Sequence, residues 1–161
     1  DGWSEPRLIL DKTRDDLLKR AAAATAAEAE GGCTLIAFED NLVALHEGPA
    51  LLVDEAYHGL ELPVWGRSGT QPLATANHCA LRAIVAHNRL VGFWEYDPSK
   101  HDLALGLFDK GVAKETQARI AAAAKETAAF LRDELGHARC TMIDTEKHIA
   151  SRAQQVRSLV R

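Results

Sequence analysis

Residues 89–109 read RLVGFWEYDPSKHDLALGLFD, and how that stretch is taken decides the fold. Its first part is dense in aromatic and β-branched residues, the strand formers. His87-Asn88 stands before it, and Asn tolerates the positive φ that a two-residue hairpin turn demands. Asp97-Pro98-Ser99-Lys100 follows it, with proline at a favoured turn position. CALRAIVA (79–86), RLVGFWEY and HDLALGLF (101–108) therefore read as a three-stranded antiparallel meander. Side chains alternate along a strand, so Leu90, Gly92, Trp94 and Tyr96 are expected on one face and Val91, Phe93 and Glu95 on the other. In the last strand Leu103, Leu105 and Leu107 alternate with Asp102, Ala104 and Gly106, giving one apolar face. An acid placed like Glu95 belongs at the sheet rim or in a pair, with Arg82 across the hairpin as the partner. Its functional reading is a general base.

A meander needs a partner layer, and the sequence supplies one. From about Val112 to Leu135 the residues Val112, Thr116, Ile120, Ala123, Thr127, Phe130, Leu131 and Leu135 recur at spacings of three and four, an amphipathic helix capped by Gly136. ARCTMI (138–143) reads as a short strand, and Asp144 as the cap of a last helix. Ile149, Ala153, Val156 and Val160 line one side of that helix, with Lys147, Arg152, Arg157 and Arg161 on the rest.

Upstream, RDDLLKRAAAATAAEAE is an alanine-rich helix, expected to pack closely on a neighbour and to stop at Gly31-Gly32. CTLIAF (33–38) and NLVALH (41–46) read as a hairpin. Residues 57–76 hold Pro63, Pro72, Gly59, Gly66 and Gly69 and form a long loop that divides the chain. The fold class is α+β. It comprises an N-terminal helix and hairpin (1–56), a loop or linker (57–76), and the meander with two helices (77–161), together one compact unit.

The 161 residues suffice for one domain, burying roughly 70% of its unfolded surface. No apolar run approaches the ~20 residues of a membrane helix, and the start has no basic-then-apolar leader pattern. Asp1 in place of an initiator Met reads as a processed product or a piece of something longer. Three widely spaced cysteines, Cys33, Cys79 and Cys140, read as small buried hydrophobes in a reducing, cytoplasmic compartment. The net charge of −4 is uneven: residues 1–55 hold twelve acids and five bases, the remainder eleven acids and fourteen bases. A nucleic-acid binder normally presents a basic surface, so any such contact belongs to the C-terminal half.

Motifs for chemistry are sparse. His78 and Cys79 are adjacent and face opposite sides of a strand, and no helix carries a His-x-x-x-His pair. No metal site, cofactor or catalytic residue is assigned. WGRSGT (65–70) lacks the spacing of a nucleophile elbow and the lysine of a phosphate loop. Its backbone N–H groups and Arg67 could hold an anion.

Two blocks, RLVGFWEYDPSKHDLALGLFD and ETAAFLRDELGHARCTMIDTEKHIASRAQQVRSL, resemble the C-terminal part of a bacterial family of winged-helix DNA-binding proteins. That family is related to DNA-repair glycosylases that excise alkylated or crosslinked bases. The shared features are Gly92-x-Trp94-Glu95-Tyr96-Asp97, Arg132-Asp133-Glu134-Leu135-Gly136, Ala138-Arg139, Asp144 and Arg152, with NLVALHEGPALLVD a weaker match. The resemblance implies a DNA-associated domain, the tail of a longer architecture, that does no chemistry alone. Its phosphate partners would be Arg82, Lys147, Arg152 and Arg157. Glycosylase relatives carry a Gln and, two positions on, a Gln or Asp; Gln71, Gln117, Gln154 and Gln155 do not form that pattern, so no catalytic residue carries over. Two other classes stay open. One is a small-molecule-binding domain or enzyme, with a pocket between the meander and residues 57–76 lined by Trp65, Arg67, His78, Trp94 and Tyr96. The other is a protein–protein module, a homo-oligomer built on a sheet edge or the alanine-rich helix.

Overall fold

The computed structural model describes residues 11–28, 32–37, 49–64, 69–76, 81–109, 111–136 and 144–159. The second hairpin arm (41–46), the strand ARCTMI, and Trp65, Arg67, His78, Cys79, Cys140, Val160 and Arg161 lie outside the described residues.

The fold is α+β. Its centre is a four-stranded antiparallel sheet of β1 (Cys33–Leu35), β4 (Arg82–Ala86), β5 (Arg89–Asp97) and β6 (Asp102–Leu107), in that order. The meander is therefore present, and β1 extends it by pairing Cys33 with Ala86 and Leu35 with Ile84. Both expected turns form. His87 and Asn88 take φ of 50° and 57°, the conformation of a tight hairpin turn, and His101 takes 54° at the end of the second turn. Within the 57–76 segment, β2 (Glu61–Pro63) and β3 (Thr70–Pro72) make a separate two-stranded ladder, flanked by 3₁₀ turns at Glu55–Tyr57 and Leu73–Thr75.

Both faces of the large sheet are covered. Helix α2 (Lys114–Asp133) lays Ile120, Ala124 and Ala128 against Ile84, Trp94, Tyr96 and Leu103. Helix α3 (Glu146–Ser158), residues 52–62 and Leu73 cover the opposite face, where Ala153 and Val156 meet Phe93, Leu90 and Ala104. The small side chains of α2 let it approach the Trp94 and Tyr96 rings, and Trp94 Nε1 donates to the Ile36 carbonyl at 3.0 Å. A buried indole N–H needs such a partner.

Several expectations are corrected by this packing. The face assignment of β5 holds for Phe93, Trp94, Glu95 and Tyr96 but fails for Leu90 and Val91. Ile84 pairs with Gly92 while Val85 pairs with Leu90, so Val91 is a bulge residue. One extra residue exchanges inside and outside for everything before it. Leu90 thus packs with Phe93, and Val91 with Trp94. In β6 the second face is buried as well as the leucine face: Ala104 is 2% exposed. Gly106 lies against the backbone of α3, where a Cβ would come within 2.0 Å of the Val156 oxygen. The stripe of α2 runs through Thr116, Ile120, Ala124, Ala128 and Leu131, and Phe130 is 52% exposed. The cap of α3 is Thr145, whose Oγ1 accepts from the His148 N–H at 3.2 Å, and not Asp144.

Helix α1 (Asp11–Glu28) forms as expected, but its described side chains, 13–20 and 23, are all exposed, Leu17 and Leu18 among them. Alanine and long charged residues favour the helix at little entropic cost. Leu17 and Leu18 point about 100° apart and have no large apolar residue three or four positions away, so there is no stripe to bury.

Candidate functional site

Among the described residues, two arginines and two carboxylates converge where α3 crosses the end of β5. Glu95 is 1% exposed. Arg82 Nη1 donates to both of its carboxylate oxygens, at 2.6 and 2.7 Å. Its Oε1 also accepts the Tyr96 backbone N–H at 2.9 Å. On the other side Arg152 Nε donates to Glu95 Oε2, and Arg152 Nη2 donates to Asp144 Oδ1. Arg82 Nη2 lies 3.5 Å from Asp144 Oδ2. Two guanidinium groups and two carboxylates thus form a closed ring that joins β4, β5 and α3. The Arg82 guanidinium carbon also lies 5.5 Å from the Trp94 ring centroid, a cation–π distance. Burial opposes the Arg152 charge, but the hydrogen bonds and charges of Glu95 and then Asp144 outweigh it, and the guanidinium pKa is raised. Cross-hairpin spacing pointed to the Arg82–Glu95 pair. Arg152 was expected on the solvated side of its helix and is instead buried between Ile149 and Val156.

One turn further along α3, Arg157 Nη2 donates to Asp97 Oδ2 at 2.7 Å. Asp97 Oδ1 takes the Ser99 hydroxyl at 2.6 Å and the Ser99 N–H at 3.2 Å. Burial alone would raise the Asp97 carboxyl. The Ser99 hydroxyl, Arg157 and the Ser99 N–H more than offset it, and the pKa is lowered. A carboxylate with a depressed folded pKa adds stability above its unfolded value, about 3.9, and that stability goes as pH falls through the folded pKa. Arg157→Ala should therefore remove about 0.5–1 kcal/mol at neutral pH, as befits a partly exposed pair. It should also flatten the loss of stability between about pH 4 and pH 2. Urea unfolding of both proteins across that range checks it; parallel pH curves would refute the coupling.

Of the four expected phosphate partners, Arg82, Arg152 and Arg157 are engaged with carboxylates of this chain. Lys147 is exposed in the first turn of α3. Of the five expected pocket residues, Trp94 and Tyr96 are buried under α2 and cannot line a pocket on the side of residues 57–76. Burial raises the Tyr96 phenol, with smaller opposing effects of Arg132 and Asp133. Trp65, Arg67 and His78 lie outside the described residues.

A cleft does open between the meander and the 54–60 segment, at residues the sequence did not mark. It measures about 400 Å³, has Tyr57, Leu90, Val91 and Phe108 in its walls, and carries Asp54, Arg89 and Asp109 at its mouth. Tyr57 and Phe108 lie 5.4 Å apart between centroids with their planes tilted by 37°. Burial, then Asp109 and Asp54, raise the Tyr57 phenol. The bulge at Val91 brings Leu90 to this side of the sheet, so period-two reading could not have found the cleft. Among the described residues no group of three or more His, Cys, Asp or Glu side chains is arranged to hold a metal ion. No described helix is long and apolar enough to cross a membrane.

No protein-family model, curated protein or solved structure significantly matches the chain.

Proposed function

We propose that this chain is a DNA-associated accessory domain of the winged-helix, glycosylase-like kind, acting as a scaffold and doing no chemistry alone. The observation that carries the reading is the meeting of the two sequence blocks behind the resemblance. Trp94, Glu95 and Asp97 come from one block, Asp144 and Arg152 from the other. Glu95 and Arg152 are 57 positions apart, yet they join in a single buried ion-pair ring. The residues behind the resemblance thus have a physical task, the locking of α3 onto the sheet, and the two blocks pack against each other. The same ring withdraws Arg82 and Arg152 from solvent, and Arg157 answers Asp97. Contact with phosphates then falls to Lys147 on the exposed side of α3.

Binding on these terms is weak and only mildly salt-dependent. Each neutralised phosphate contributes a slope of about −0.9 in log K against log salt, so one or two contacts give a slope of about −1 to −2. Lys147→Ala should reduce that slope by roughly 1 and weaken binding to all sequences alike, leaving the melting temperature unchanged. Fluorescence anisotropy with a labelled duplex and a labelled single strand, over a salt series, measures this. No binding of either at low salt removes the proposal. A slope unchanged in Lys147→Ala removes this surface from it.

A further inference from the structure

We propose that the cleft between the 54–60 segment and the meander binds a small organic cation, a protonated amine carried on a compact apolar body. Such binding is independent of any contact with DNA. The cleft, about 400 Å³, falls in the size range of small-molecule sites. A second hollow of about 230 Å³ adjoins it, where Gly59, Leu60 and Leu159 join Ala56, Tyr57 and Phe108. Tyr57 and Phe108 line both spaces. The Leu60 and Leu159 side of the adjoining hollow offers contacts for an apolar body, and the cleft with its charged residues receives the polar end.

Charge selects the polar end. Asp54 and Asp109 stand at the mouth against one guanidinium, Arg89. Both carboxylates act on the Tyr57 phenol, so their negative potential falls on a ring that lines both spaces. A cation near that ring gains from the carboxylates and from the ring face together. The carboxylates are also held before any ligand arrives. Asp54 Oδ1 accepts the Ala56 N–H at 3.0 Å, and Asp109 Oδ1 accepts the Gly111 N–H at 2.6 Å. Side chains already ordered lose little entropy on binding.

The test uses the whole chain and two probes with the same ring and opposite charge, 2-phenylethylammonium and 3-phenylpropanoate. Amide shifts in ¹⁵N spectra are followed during each titration. The amine should shift Tyr57, Leu90 and Phe108 and bind at least about tenfold more tightly than the acid, a difference of one charge interaction. Asp54→Asn with Asp109→Asn keeps an Oδ1 acceptor for each turn and removes both charges, and should abolish the preference. Absence of shifts at those amides up to roughly 10 mM amine, a weak limit for a ligand of this size, overturns the proposal. Equal affinity for the two probes overturns it, and so does preference for the acid, which would assign the mouth to Arg89. The probe comparison stands without the variants, should they unfold.

Discussion

Arg152→Ala should lower the unfolding free energy by about 3–5 kcal/mol, the usual result of removing one partner from a buried ion pair. For a chain of this length the melting temperature should fall by roughly 10 °C or more. The reason lies in what the substitution leaves behind. Glu95, 1% exposed, would keep Arg82 and the Tyr96 N–H but lose the guanidinium on its α3 side. Asp144 would lose its Arg152 bond in the same step. Arg152→Lys should recover little, because a single ammonium cannot reproduce the fork that reaches two carboxylates. Arg152→Met combined with Glu95→Leu should be more stable than the sum of the single losses predicts, since no uncompensated carboxylate then remains at 95. Thermal and urea unfolding of the parent, Arg152→Met, Glu95→Leu and the double variant give the coupling. A loss below about 1 kcal/mol for Arg152→Ala would show that the ring is a solvated surface pair and not a lock.

The second large effect is steric. Gly106→Ala should cost about 3 kcal/mol or more, the upper end of what overpacking does. An added Cβ would sit 2.0 Å from the Val156 carbonyl oxygen and 2.9 Å from its carbon. These are backbone atoms, so no side chain can rotate away; α3 must lift from β6. The lift should appear first in the ring, because Arg152 is carried on the same helix. Amide exchange in α3 should therefore quicken relative to α2, which lies on the opposite face. A Gly106→Ala protein that melts within about 1 °C of the parent would mean that α3 is not seated on Gly106.

These two predictions concern residues that the sequence presents very differently. Glu95 attracts notice in the sequence, since an acid between Trp94 and Tyr96 in a strand demands a partner, and Arg82 is the cross-strand answer. Arg152 does not, because helical spacing shows only that Ile149, Ala153 and Val156 share a side. Arg152 lies on the edge of that side, and the length of its side chain lets it reach inward to Glu95 as readily as outward to water. Gly106 reads as an ordinary member of an alternating strand. Its requirement for hydrogen appears only once a helix lies across it.

The order of the meander and the helices is legible in the residues themselves, whereas the β2–β3 ladder lies in a segment whose prolines and glycines read as a loop. Turn chemistry at His87-Asn88 and at Asp97–Lys100 settles the meander, and periodicity settles α2 and α3, because these depend on residues close in sequence. Alanine content likewise predicts α1, though not its exposure. Besides the inward reach of Arg152 and the seat of α3 on Gly106, the tertiary structure was needed for the bulge at Val91, which moves Leu90 across the sheet; the second covered face, which buries Ala104; and the cleft at Tyr57 and Phe108. Each is tied to contacts between residues distant in the chain, as where the Leu90 N–H donates to the Leu52 carbonyl at 2.7 Å. Local propensity carries no information on such contacts, and packing alone chooses among the arrangements that the local pattern allows.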